Sequence, residues 1–243
     1  MNNTTIVIPS KFSDVCAPCF ASIEAYAPTA SKILVKDAKA ESPVGWKKIE
    51  DFIASRRAGC YGWRVLNAQP GPFCFARNVN LGIKLSPGKN VLICNDDVRF
   101  IHPETIEALE YALVKRPDIG IVSPRIEGIV GNPIQRFAEP KSLVYSELRL
   151  AFVCVLISQE VIEDIGLLDE QFGNGDYGWD DVDYCLRAKK AGWKLAVNGE
   201  AVVKHGSSIK DGSGSFGGAR GPGYKDEQSL DLFFQKWGHN DLW

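Results

Sequence analysis

Four places in this sequence bring together side chains that could do chemistry. Asn95, Asp96 and Asp97 follow the apolar run Val91–Cys94. Asp176, Asp180, Asp181 and Asp183 crowd into one short stretch with Tyr177 and Trp179. His205 ends the run "EAVVKH", and Asp37 ends the run "KILVKD". Carboxylate oxygens suit a hard divalent cation, and a site with few of them leaves positions for phosphate oxygens and water. In an extended segment alternate residues share a side, so Asn95 and Asp97 pair while Asp96 faces away. The same three residues also suit a strand-end turn. Asp180 or Asp181 opens a helical pattern, where a cap and an acidic first turn stabilise by about 1 kcal/mol. Capping alone does not call for four carboxylates beside aromatics and glycines. A helix N-terminus also keeps a carboxylate ionised, which a general base requires.

Cys16 and Cys19 form a CxxC at a helix start after a strand, a pattern used by thiol–disulfide exchangers. No Trp precedes Cys16, and no second CxxC completes a four-thiolate zinc site. No G-x-S-x-G elbow, phosphate-cradling Walker loop or G-x-G-x-x-G after a strand occurs.

The elements that must position these groups alternate in the first half. "TTIVI" reads as a buried strand stopped by Pro9, "KILVKD" as the second, "GWRVLNA" as the third and "NVLIC" as the fourth. Helical patterns lie between them, over "SPVGWKKIEDFIASRRAG" for example. The pattern "HPETIEALEYALVKRP" is a helix with Lys115 and Arg116 in its last turn, and "IGIVSP" is a fifth strand. This order predicts an α/β sheet with mostly parallel strands, whose sites form at the strands' carboxyl ends. Asp37 and Asn95–Asp97 sit there. The second half is less regular: a strand over "RLAFVCVLIS", a helix over "DVDYCLRAKKAGW", one or two strands over "KLAVNGEAVVKH", and a last helix over "SLDLFFQKWG". The Gly-rich segment 206–223 between these last two reads as a mobile loop.

Composition sets the outer limits. The chain has 243 residues, enough for a substantial core. With 28 basic and 30 acidic residues, net charge −2, no nucleic-acid surface is expected. No apolar run is long enough to span a membrane, which leaves only peripheral membrane contact. The N-terminus lacks a basic signal-peptide region, so the expected compartment is the cytoplasm. Seven cysteines scattered through apolar runs fit buried reduced thiols.

Taken in order, these motifs resemble the family 2 glycosyltransferases, particularly the small rhamnosyltransferase-like members. "IVIPS", "ILVKD" and "FARNVNLGIKLSPGKNVLICNDDV" are similar to that family's first strand, second strand, and loop, helix and DXD strand. "GLLDEQFGNGDYGWDDVDYCLRAKKAGWKLAVNGEAVVKHGSS" is similar to its D-E-x-F, E-D-x-D-x-x-x-R and A-G-(aromatic) run followed by a strand ending in His. The likeness covers nearly the whole chain. Here Asn95 stands in the first DXD position and Asp180-Asp181 replaces E-D.

The resemblance implies a GT-A fold: one Rossmann-like, mixed and mostly parallel sheet flanked by helices, forming a single domain over 1–243. Residues 1–100 would be the nucleotide-sugar half, 101–205 the acceptor and catalytic half, 206–223 a lid and 224–243 the C-terminal helix. It implies inverting, metal-dependent transfer from a nucleoside-diphosphate sugar, UDP or dTDP type, to a hydroxyl of a glycan or glycoconjugate. Pro9, Ser10, Asp37, Arg77, Asn78, Asn95 and Asp96 would bind the nucleotide sugar. Asp97, Asp96 and His205 would hold the metal, Mn²⁺ ahead of Mg²⁺ because imidazole is the softer ligand. Asp181 would be the base, with Asp180 as the alternative, and Asp176, Tyr177 and Trp179 the acceptor platform. The competing readings are a sugar-nucleotidyltransferase, a non-catalytic sugar-nucleotide-binding relative, and a thiol oxidoreductase built on Cys16 and Cys19.

Overall fold

The computed structural model describes residues 3–10, 13–36, 43–55, 62–128, 132–173, 178–206 and 227–238. Asp37, Asp176, Tyr177 and the loop after Gly206 lie outside these residues, so the expectations placed on them go no further here.

The elements follow in the order β1 (Thr4–Ser10), α1 (Ser13–Tyr26), β2 (Ser31–Lys36), α2 (Pro43–Ser55), β3 (Trp63–Asn67), α3 (Phe75–Lys84), β4 (Asn90–Cys94) and β5 (Val98–Phe100). Then come α4 (Thr105–Lys115), β6 (Ile119–Gly128), α5 (Pro133–Phe137), β7 (Leu143–Tyr145), β8 (Cys154–Ile157), α6 (Gln159–Ile165), α7 (Asp180–Lys190), β9 (Lys194–His205) and α8 (Glu227–Trp237). One sheet holds all the strands in the order β3-β2-β1-β4-β8-β6-β9-β5, with β7 also on β9. Strands β1 to β4 are mutually parallel, and β6 and β9 run the same way. Only β5, β7 and β8 are reversed.

Strand β1 is buried along its whole length, as a strand covered on both faces must be. Its alternation divides the core. Ile6 and Ile8 face α1, α2 and α4, while Val7 faces α3, α6 and α7. Leu92 and Cys94 of β4 repeat the first choice, Val91 and Ile93 the second. A third, smaller cluster forms where α8 meets α7, around Phe172, Val182 and Phe233. Helix α3 sits so close to β1 that a Cβ on Gly82 would lie 2.4 Å from a Val7 methyl.

Two local readings of the sequence need correction, and three short elements had no signature in it. Strand β1 runs through Pro9 to Ser10, because β4 pairs with it only as far as Val7 and leaves the strand one open side. Strand β8 starts only at Cys154 and runs antiparallel between β4 and β6. The short β5, α5 and β7 carry too few residues to show a period, and long-range pairing with β9 is what makes β5 and β7 strands.

Candidate active site

The site is built at the carboxyl edge of the parallel strands. Beyond Cys94 the chain turns: the Asn95 N–H donates to the Val153 carbonyl at 2.9 Å, and the Val98 N–H donates to the Asn95 carbonyl at 3.2 Å. Asp96 and Asp97 are therefore turn residues, not extended ones, yet their side chains still part company. Asp96 Oδ2 accepts from the Ser10 hydroxyl at 2.7 Å, and Cys16 Sγ lies 2.7 Å from that hydroxyl. Asp97 Oδ1 lies 3.1 Å from His205 Nε2, with both side chains nearly buried. This meeting follows from register. Antiparallel pairing sets Val98 of β5 opposite His205 of β9, and Asp97 is the next residue back. Gly128, at the end of β6, makes room for it: its φ is +113°, and a Cβ there would stand 2.1 Å from the His205 carbonyl oxygen.

Helix α7 precedes β9, which runs with the parallel strands, so the helix starts over the same edge. Neither Asp180 nor Asp181 is its N-cap. That position falls to Trp179, which is left-handed at φ 72°. Asp180 is 5% exposed, and its Oδ2 has no hydrogen-bond partner among the described residues. Burial, then the charge of Asp181, pushes its carboxyl up to about 7. Asp181 is half-buried, and its Oδ1 accepts from the Val182 N–H at 2.8 Å. Burial raises its carboxyl too, against the opposing pull of the Arg149 charge and the N–H groups of Val182 and Phe152. Arg149 was not anticipated: the sequence reading placed it at the head of a strand, whereas β8 starts only at Cys154 and leaves Arg149 in an irregular segment. Trp179 is half-buried, with its ring 4.8 Å from Phe233.

Helix α3 supplies the third side. Burial pushes the thiol of its N-cap Cys74 up, and the charges of Arg77, Asp180 and Glu170 also act on it, so the starts of α3 and α7 lie near each other. Arg77 donates through Nη2 to the Pro72 carbonyl. Asn78 is 1% exposed, yet neither its amide nitrogen nor its oxygen has a partner among the described residues. Such groups are normally satisfied by protein, water or ligand.

The thiols of Cys16 and Cys19 are wholly buried in α1. A thiol that exchanges with a disulfide must be reached by it, so these two read as packing residues. Among the described residues no helix is long and apolar enough to cross a membrane.

No family model matches this chain. Over 132 residues it is 26% identical to the low-salt glycan biosynthesis hexosyltransferase Agl10 of Haloferax volcanii, covering 46% of this chain and 41% of that protein. Over 161 residues it is 24% identical to the O-antigen biosynthesis protein RfbC of Myxococcus xanthus, covering 56% of this chain and 12% of that one. The chain thus spans less than half the length of these relatives. Among solved structures, the mannosyltransferase PcManGT of Pyrobaculum calidifontis, in complex with GDP-Man and Mn²⁺, superposes with a TM-score of 0.64 at 14% identity. That match covers 86% of this chain and 58% of that one. GalNAc-T7 with UDP, GalNAc and Mn²⁺ superposes with a TM-score of 0.68 at 14% identity, over 84% of this chain and 43% of that one. The chain has the GT-A fold that these glycosyltransferases share.

Proposed function

We propose that this chain transfers a sugar from a nucleoside-diphosphate sugar to a hydroxyl of a glycan or glycoconjugate, with a divalent cation and with inversion. The observation that carries the reading is the Asp97–His205 pair at the strand ends. Its support is the fold held in common with proteins solved with GDP-Man and with UDP and GalNAc.

The residues fit a cation. Asp97 and His205 approach each other nearly buried, one hard oxygen donor and one imidazole, a set Mn²⁺ accepts more readily than Mg²⁺. Among the described residues no third His, Cys, Asp or Glu joins them, which leaves the remaining positions to donor phosphates and water. Asp96, turned towards Ser10, is assigned to the donor rather than to the metal. A cation bound by Asp97 and His205 would stabilise the charge that develops on the leaving diphosphate.

The chain's own residues do the rest. Asn78 offers a buried amide donor and acceptor to the nucleotide sugar, and Arg77 a positive charge near the start of α3. Asp181 is the base: it is more accessible than Asp180, and burial raises its proton affinity, which favours proton transfer from the acceptor hydroxyl as the new bond forms. With one base and no covalent intermediate, a single displacement inverts the anomeric centre.

The test is a thermal-shift screen of UDP-, dTDP- and GDP-sugars with and without Mn²⁺, followed by product analysis with the best donor. Ligand binding to the native state raises Tm by mass action. A donor shift that needs Mn²⁺ and vanishes in Asp97→Ala is expected. Full transfer in excess chelator would overturn the metal assignment. Asp181→Asn is expected to keep the donor shift and to lose about 10²-fold or more in kcat. Transfer by Asp181→Asn at the wild-type rate would move the base elsewhere.

A further inference from the structure

Helix α7 opens with three carboxylates, Asp180, Asp181 and Asp183. The third has a different setting from the other two. Its side chain is wholly buried, and it accepts from Arg187 Nε at 2.9 Å and from Trp237 Nε1 at 2.9 Å. Lys236 Nζ stands 2.7 Å away and also donates to Asp169 Oδ2 at 2.7 Å. Arg187 is fixed in turn by the carbonyls of Ile165 and Leu167, at 2.7 and 2.8 Å. A buried carboxylate held by three donors, two of them charged, is a rigid anchor. Two of those donors come from the last turn of α8.

The same helix reaches the residue on the other side of the catalytic pair. Phe233 of α8 is wholly buried, 4.8 Å from the Trp179 ring and 6.5 Å from the Phe172 ring. At φ 72° Trp179 holds a conformation that a bulky aromatic keeps only when its surroundings enforce it. Its carbonyl accepts the Asp183 N–H at 2.9 Å, which ties the two anchors together.

We propose that α8 is a positioning element for the Asp180–Asp181 pair, with Lys236 and Trp237 fixing Asp183 and Phe233 fixing Trp179. Only Asp180, Asp181 and Val182 lie between these two anchors. None of the α8 residues need touch a substrate. They act by denying the acidic turn any other conformation. The proposal rests on the glycosyltransferase reading for its functional consequence, but not for its structural one.

The test uses the full chain carrying Trp237→Phe, Lys236→Met or Lys236→Arg. Trp237→Phe removes the indole N–H and keeps an aromatic ring. Lys236→Met removes the charge and keeps the stem, and Lys236→Arg restores the charge. With the donor found in the UDP-, dTDP- and GDP-sugar screen, Trp237→Phe and Lys236→Met are expected to lose about tenfold or more in kcat, because small misplacement of a catalytic group is expensive in rate. Donor KM is expected to stay within about twofold, since α8 does not hold the donor. Lys236→Arg is expected to recover most of the kcat. Amide hydrogen exchange over 179–183 is expected to speed up in the first two variants, while exchange in β1 and β4 stays slow. Unchanged exchange over 179–183 would overturn the proposal, as would a kcat that does not fall, or one that falls only in step with donor KM. If the wild-type chain transfers no sugar from any donor, the glycosyltransferase reading fails, and the exchange measurement still decides the positioning role.

Discussion

Asp180 and Asp181 are adjacent carboxylates in one partly dry turn, and burial raises both, with the charge of Asp181 raising Asp180 further. They titrate as a pair, so an acid limb in the rate profile belongs to both. Burial raises the carboxyl of the base Asp181, so activity is expected to rise with pH along a limb above the ordinary carboxylate range, and a pH profile of kcat/KM between pH 4 and 9 measures it. The shift of Asp180 bears on stability. The unfolded chain releases the Asp180 proton near about 4, while the folded chain keeps it up to about 7. The folded state therefore binds more protons across that window, and stability falls as pH rises through it. Asp180→Asn removes this loss. The variant is expected to gain stability relative to wild type at pH 8 and to lose that advantage near pH 4, as urea midpoints at the two pH values would show.

At the scale of elements, the site depends on strand ends that lie far apart in the chain. Strand β9 carries His205 to the sheet edge, β5 sets Asp97 beside it, and the end of β6 lies against the His205 backbone. Gly128 lets these three meet. Gly128→Ala would put a Cβ into the His205 carbonyl oxygen at a φ that L side chains rarely adopt. It is expected to cost about 1–3 kcal/mol of stability and to weaken the Mn²⁺ dependence of donor binding more than Tm alone accounts for. Mn²⁺ titration of the donor-induced thermal shift checks this. Helix α7 depends likewise on α8, a helix whose amphipathic pattern is plain in "SLDLFFQKWG" but whose partner is not.

Across the whole molecule, one sheet with two covered faces holds the site edge rigid. Gly82 is where α3 comes closest to the sheet, and Gly82→Ala is expected to destabilise by about 1–3 kcal/mol through overpacking against Val7, measurable as a lower urea midpoint at unchanged m. Strands β1 to β4 were legible from sequence because each is a short apolar run between turn residues, with helical patterns between them. The order of NDD, WDDVD and the His-ended strand was legible too, since motif order is a property of the chain itself. Other features could not be read that way. Strand β8 runs antiparallel, β5 and β7 are strands only because β9 offers them partners, and Arg149 reaches Asp181 from an irregular segment. The sequence alone determined which residues carry charge and where the buried runs fall, because propensity, periodicity and turn chemistry act between near neighbours. Only the tertiary structure decided that Asp96 belongs with Ser10 and Asp97 with His205, and that Asp183 serves α8 while Asp180 and Asp181 stay together. Each of these pairings is set by strand register and helix packing between segments distant in the chain, and no local pattern encodes them.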